Sequence, residues 1–571
     1  MPRKLKTKWI LVIASLCYLH EAAAAPSLNP SNFTNSIDPG RTQKQIQRSS
    51  EFMSQPAFAP KTKLLEHAPA QEATKSRIHL ILNQVIFKGN TVYSSAELEK
   101  IFAPSLHKTI NLNDLEVMVH KVTTKYREDG YILSRAILPP QTIKNGVEIV
   151  QLIEGFVSSA AVKGDPGKAK ALLEAYAKRA MQSKPLQFHN LQRYALLAND
   201  LPGYTVQTVL SPSPNVPAGA DLTFVVMRKR GSAYVMYDDY GTRYLGPLET
   251  TIGGTLNSLI VPGDSNNAQV TVTPRPHEIQ YASVSHVQPL GTSGMRWQLG
   301  ASYAETRPSF VLDPLNIVGR NLSVYTDLSY PVIRDRDRNL SLHSTVNYQN
   351  INSTILEVPF YEDRIRSLDL GVNFDNIDHY HGINTASFDV THGFAILGAN
   401  IHENMSRPNG QARYTKLNAA FTRLQNLASR WTLFGSFHAQ YSFESLLSTE
   451  QFGVGGPETG RGYDPSEIVG DRGISGKLEL RRDAYPQYHY LQAIQYYAFY
   501  DAGMIWNIDT NSGVPRATVT SIGIGGRFTF TPELTGNLFI AKPMNHPVAV
   551  LALMGHNSTA ARIFFQLSAV V

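Results

Sequence analysis

The sequence predicts two tandem α+β modules, each of strand-helix-helix-strand-strand order (βααββ), followed by an all-β transmembrane barrel of about 16 antiparallel strands. Three observations predict it. The N-terminus is built for export; an internal echo recurs at offsets of about 73 to 76 residues; and apolar and polar residues alternate with period two through roughly the last 340 residues.

The N-terminus carries Arg3, Lys4, Lys6 and Lys8, an apolar run from Trp9 to Leu19, and then four alanines, Ala22 to Ala25. This is the pattern of a secretory signal peptide over residues 1–25, and its apolar run is shorter than the roughly 20 residues that cross a bilayer. Pro26 suits a position just after the cut poorly, so cleavage is expected near Ala24. The single cysteine, Cys17, leaves with the signal, and the exported chain is expected to have neither a disulfide nor a thiolate metal site. Formal net charge is +7. The signal supplies about +3 of it, and the small remainder gives no reason to expect a nucleic-acid partner.

Residues 26–76 read as linker, with one helix expected from 38 to about 53 (DPGRTQKQIQRSSEFM). Pro39 suits a first helical turn, yet the segment is too polar to bury a face in an apolar core. From Arg77 the pattern turns compact. A first module over 77–154 is expected to have strands at 78–87, 131–138 and 147–153 and helices at 95–102 and 112–126. A second, over 155–229, repeats its landmarks: Val162-Lys163-Gly164-Asp165 echoes Phe87-Lys88-Gly89-Asn90, and Pro202-Gly203-Tyr204 echoes Asp129-Gly130-Tyr131.

Beyond Lys229 helical periodicity stops. Trp297, Leu299, Ala301 and Tyr303 alternate with polar residues, as do Leu368, Leu370, Val372 and Phe374, and the same holds in several later segments. Such strands put one face in oil and one in water. A soluble sandwich would alternate likewise, but a secreted, cysteine-free stretch of this length suits a barrel of tilted strands, whose closure leaves no open edge. The expected barrel is 230–571.

Within it, residues 455–476 (GGPETGRGYDPSEIVGDRGISG) break the alternation with seven glycines among charges. A solvated surface loop is one reading. The other comes from resemblance. Gly460-Arg461-Gly462-Tyr463 looks like a Val-Arg-Gly-Tyr/Phe motif, Gly470-Asp471-Arg472-Gly473 follows it, and Phe499-Tyr500-Asp501-Ala502-Gly503 matches F-x-D-x-G. Asp239-Tyr240-Gly241, Gly246-Pro247 and Tyr330-Pro331-Val332-Ile333-Arg334 are similar to recurring barrel segments. With the two modules, these motifs resemble the two-partner secretion transporters of the ShlB/FhaC/HecB type, which are outer-membrane barrels preceded by two POTRA domains.

The resemblance implies a chain in the outer membrane of a Gram-negative bacterium, with its POTRA domains in the periplasm, that passes a secreted partner protein across the membrane without nucleotide or cofactor. It implies that the glycine-rich loop enters the lumen, that Arg461 pairs with Asp501 on the inner wall, and that Gly460, Gly462, Tyr463, Phe499 and Gly503 complete the two motifs. The 38–53 helix would be a second lumen occupant. The client is expected at the modules' edge strands, at Tyr131, Ile132, Leu133 and Ser134 and at Tyr204, Thr205, Val206 and Gln207, as an added strand. Other expected partners are outer-membrane lipid and the barrel-assembly machinery. The sequence departs from the family pattern at Gly460, where an apolar residue is usual, and at its end, Val570-Val571, which lacks a terminal aromatic. A general porin and an outer-membrane assembly factor are the alternative readings. The first needs neither modules nor the Arg-Gly-Tyr loop, and the second is disfavoured by having only two modules.

No enzyme signature accompanies these features. Lys477 lacks P-loop spacing, and G-x-S-x-G and H-E-x-x-H do not occur. His379 and His381 have a ligand-like spacing without a recognisable third ligand, so no metal is expected there.

Overall fold

The computed structural model describes residues 37–54, 79–142, 145–399, 404–486, 488, 490–509, 514–545 and 560–571. The expected signal peptide and most of the linker lie outside them.

A helix spans Pro39–Ser54. Asp38 starts it: its side chain accepts from the Arg41 N–H at 3.0 Å while its carbonyl accepts from Thr42, and Pro39 sits at the position where a missing N–H costs nothing.

In the first module the expected single strand is split into His79–Leu82 and Gln84–Lys88. The first half pairs with Lys108–Asn111 and the second runs parallel to Val147–Ile153. The break falls at Asn83, where Gly146 crosses so closely that a Cβ there would lie 2.3 Å from the Ile81 oxygen. Helices Ser95–Phe102 and Leu112–Glu128 each begin with a reciprocal capping box, Ser94 with Glu97 and Asn111 with Asp114. They bury Leu98, Phe102, Leu115 and Val122 against Leu82, Val150 and Leu152. The strand expected over 131–138 is only Arg135–Ile137.

The second module follows the predicted order: Phe156–Gly164, helices Lys170–Ala180 and Phe188–Asn199, then Tyr204–Pro212 and Gly219–Arg228. Its last strand lies centrally, so Tyr204–Pro212 is an edge. The module also holds the barrel. Arg334, from the Tyr-Pro-Val-Ile-Arg segment, grips both oxygens of Asp200 at 2.7 and 2.6 Å, and Arg193 donates to the Pro331 oxygen at 2.8 Å.

Sixteen antiparallel strands close a barrel from Gly231–Asp238 to Arg562–Val570. Leu342, Val346, Leu370, Phe388, Phe421 and Phe437 project from the outer surface, where they meet hydrocarbon, and alternate with inward polar residues. The wall is uneven. Strands Arg338–Ile355 and Val358–Ile377 have 18 and 20 residues, whereas the closing seam pairs only 234–238 with 566–570.

Candidate functional site: a filled lumen

The connection between strands Trp431–Ser442 and Arg472–Ala484 folds back inside the barrel. It carries a two-stranded sheet, Phe452–Val454 with Ile468–Gly470, and places Gly460 to Tyr463 against the wall. Arg461 Nε and one terminal nitrogen donate to the two Asp501 oxygens at 2.9 and 2.6 Å, and the Arg461 backbone N–H adds a third bond at 3.0 Å. Its other terminal nitrogen donates to Glu479, and the guanidinium lies 3.5 Å over the Phe499 ring. The fork thus fits a carboxylate with two parallel bonds while its flat face covers an aromatic ring, a geometry a lysine cannot reproduce.

Glu479 was not singled out in the sequence. It also accepts from Arg481 at 2.8 Å and Arg527 at 3.0 Å. Its signal is its phase: Lys477, Glu479 and Arg481 alternate with Leu478 and Leu480, which puts the charges on the lumen face. Register then sets Glu479 opposite Phe499 and Lys477 opposite Asp501.

The glycines of both motifs mark close approaches. A Cβ on Gly503 would lie 2.3 Å from Val454, and one on Gly462 would lie 2.9 Å from the Pro543 nitrogen. These two glycines let the loop lie flat on the wall. At Gly460 a Cβ would meet nothing closer than Gly455 at 3.3 Å, so there the motif is tight without being blocked. The Tyr463 hydroxyl lies 3.0 Å from the carbonyl oxygens of both Thr520 and Asn545, and its ring packs with Val454, Ile468 and Val519.

The next residue, Asp464, spans the seam. One oxygen accepts from Arg243, just past the first strand, at 2.8 Å, and the other from Arg562, which opens the last, at 2.6 Å. The lumen loop therefore fastens the two strands whose direct pairing is shortest.

The helix Pro39–Ser54 fills more of the lumen. Gln43 exchanges hydrogen bonds with Ser302 at 2.6 Å and Asn321 at 2.8 Å on neighbouring wall strands. Its first turn is fixed to the loop. Thr449 and Tyr361 donate to the two Asp38 oxygens at 2.9 and 2.8 Å, Arg41 donates to the Ser448 oxygen, and Lys44 pairs with Glu450 at 2.9 Å. Glu450 is held from the wall by Lys416 at 2.7 Å. The helix is less purely polar than its composition suggested, because Ile46, with the preceding Ile37, reaches a small apolar cluster of Tyr244, Leu245, Tyr281 and Leu312.

The module edges depart from expectation. Tyr131, Ile132, Leu133 and Ser134 form a turn, not an edge strand. Ile132 and Leu133 pack on the core of the second module, and Tyr131 accepts a hydrogen bond from Gln187 at 3.0 Å. The short strand after them has its Ala136 N–H bonded to Thr123. Tyr204, Thr205, Val206 and Gln207 do lie on an edge strand, but both Val206 backbone groups, which point outward, are taken by the Asn199 side chain at 2.8 Å. Antiparallel alternation then turns Thr205 and Gln207 inward and leaves Thr208 and Leu210 presenting outward backbone groups before Pro212. In each module the helix beside the edge also supplies a polar side chain that satisfies part of it, Thr123 at Ala136 and Asn199 at Val206.

The family profile of haemolysin secretion/activation proteins ShlB/FhaC/HecB matches residues 224–528, and that of the ShlB-type POTRA domain matches residues 80–155. The chain is 22% identical over 528 residues to the heme/hemopexin transporter protein HuxB of Haemophilus influenzae (strain 86-028NP), covering 90% of both chains. It is 23% identical over 502 residues to the outer membrane transporter CdiB of Dickeya dadantii (strain 3937), covering 84% of this chain and 86% of the relative. Among solved structures, CdiB from Escherichia coli superposes with a TM-score of 0.73 at 18% identity, over 96% of this chain and all (100%) of the other. BamA from Haemophilus ducreyi lacking POTRA domains 1–3 superposes at 0.51 with 14% identity, over 86% of this chain and 100% of the other.

Proposed function

Because the chain belongs to the haemolysin secretion/activation family ShlB/FhaC/HecB and is an outer-membrane transporter of a secreted partner protein, with its POTRA modules in the periplasm, we propose that its lumen loop and helix form the closed gate of the translocation path. One observation carries this reading: the helix is fastened to the loop and wall mainly through side-chain hydrogen bonds and ion pairs, such as Lys44 to Glu450 and Asp38 to Thr449. When the helix leaves and water fills its place, both partners of each such contact are rehydrated together, a compensation that the surface of a packed apolar core does not have. The helix is therefore the removable occupant, and Arg461, with Asp501 and Glu479, holds the loop that remains.

The client enters unfolded, adds itself as a strand beside Thr208 and Leu210, displaces the helix and threads the lumen. Folding outside makes the passage directional, and no covalent bond is made or broken. Lipid surrounds the apolar wall, and the assembly machinery inserts it. A porin has no use for an edge strand aimed at a client, which favours secretion over the alternative.

Cysteines placed singly at Val209 or Ser211, the exposed positions that alternate with Thr208 and Leu210, and labelled with a photoreactive probe test the docking site in cells, since the only native cysteine is Cys17. An arrested client is expected to crosslink there and not from Tyr131. Crosslinks confined to 131–134 would move the docking site to the first module. Deleting 77–228 should abolish client secretion while leaving a folded barrel; undiminished secretion would overturn the role of both modules.

A further inference from the structure

Three inward-facing residues on consecutive strands converge on the lumen wall. His343 lies on Arg338–Ile355, Asp369 on Val358–Ile377 and Asp389 on Ile383–Gly393. In register, His343 is opposite Gly371 and Gly371 is opposite Asp389, so the three positions form a row across the wall, with Asp369 two residues along the middle strand on the same face. His343 Nε2 is 3.1 Å from an Asp389 oxygen and 3.7 Å from an Asp369 oxygen, and all three ligand atoms lie within 4.8 Å of one another.

Those separations suit one metal. Zinc bound at about 2.0 to 2.2 Å to imidazole nitrogen and carboxylate oxygen sets its tetrahedral ligands roughly 3.4 Å apart. The surroundings suit it too. A Cβ on Gly371 would lie 2.1 Å from Asp389 Oδ1 and 2.2 Å from His343 Cε1, so glycine clears the space where the ligands meet. Thr391 donates to the outer oxygen of Asp369 at 2.6 Å and leaves the inner one free. The Asn373 amide nitrogen is 3.1 Å from His343 Nδ1, and a cation on Nε2 requires that amide to turn over so that its oxygen accepts from the Nδ1–H. Among the described residues the ion pairs of Asp369 and Asp389 are with His343 alone, so no lysine or arginine neutralises the two carboxylates.

We propose that His343, Asp369 and Asp389 form a three-ligand site for a first-row divalent cation such as Zn²⁺ on the lumen wall. One nitrogen and two oxygens favour zinc or manganese over calcium and magnesium, which take all-oxygen shells. Each ligand sits on a different hydrogen-bonded strand, so a bound cation ties three wall strands together. The side chains are about one-fifth exposed, at 19, 22 and 21%, and are reached from the lumen.

The test is calorimetric titration of Zn²⁺ into the tag-free, EDTA-stripped barrel in detergent, with His379→Gln and His381→Gln removing the turn histidines. One Zn²⁺ per chain is expected, with affinity falling about a hundredfold or more in His343→Gln and in Asp389→Asn. Co²⁺ substitution should give visible absorption in the parent and lose it in both variants. Heat-modifiable migration on gels confirms that each variant is folded. No stoichiometric binding to the parent, or equal binding by folded variants, would overturn the site and leave the trio a protein-only ion cluster.

Discussion

Replacing Arg461 by alanine removes both side-chain bonds to Asp501 and leaves that carboxylate with the Arg461 backbone N–H at 3.0 Å and Ser521 at 3.4 Å. Glu479 keeps Arg481 and Arg527. Only one carboxylate is therefore orphaned, and it is fully buried. Breaking a buried pair from one side costs about 3 to 5 kcal/mol, and the remaining donors favour the lower end. About 3 kcal/mol changes the ratio of released to seated loop roughly 150-fold. Single-channel recording in planar bilayers reads that ratio as time spent in large versus small conductance levels. Wild-type currents are expected to be small and flickering, and those of Arg461→Ala to dwell far longer in large levels. Arg461→Lys should fall between, because a point charge replaces a fork. In the double variant Arg461→Ala/Asp501→Asn the effect should be no larger than in the worse single variant, since both remove the same interaction. Additive effects would refute the clamp.

Glu450→Ala frees Lys44 and Lys416 together and should raise the mean conductance toward that of a chain lacking 37–54, with bilayer recording again the readout; no change would deny the latch. Asp464→Ala releases Arg243 and Arg562 from the seam and should lower the temperature at which the barrel loses its folded gel mobility, whereas the same change at exposed Glu362 should not. In the first module Glu154 is raised by burial, but hydrogen bonds from Thr91, Tyr126 and Val92 outweigh this and hold it below the ordinary 4.5. A depressed carboxylate stabilises above its unfolded range, and the benefit is lost as pH falls through the lowered folded value. Protection factors at the Thr91 and Val92 amides, that is exchange corrected for its intrinsic slowing in acid, should therefore fall between neutral and acid pH more in wild type than in Glu154→Gln, and equal profiles would remove Glu154 from the acid response.

Much of this molecule is local. Alternation of side chains announces a strand with one wet face wherever it occurs, so the barrel and its approximate strand number follow from residues read in series. The lumen helix is as local: Asp38 and Pro39 cap and start it whatever surrounds them. The echo of the two modules and the Gly-Arg-Gly-Tyr and F-x-D-x-G motifs were likewise legible, and the glycines in them have a plain reason, since Gly503 and Gly462 are where backbone meets wall.

Tertiary structure decided what depends on partners distant in sequence. The 131–138 segment has strand-like residues, yet packing on the second module turns its first half aside. Asn199 occupies the edge at Val206 and moves the open backbone to Thr208 and Leu210, a shift no periodicity encodes. Arg461 was expected to face one carboxylate and meets two, because strand register brings Glu479 beside Phe499. Asp464 reaches arginines 221 and 98 residues away only because closure makes the first and last strands neighbours. The sequence by itself determined which elements form, since those preferences are settled within a few residues; the closed barrel determined which polar groups meet, since charges inside a lumen are paired by geometry across the wall.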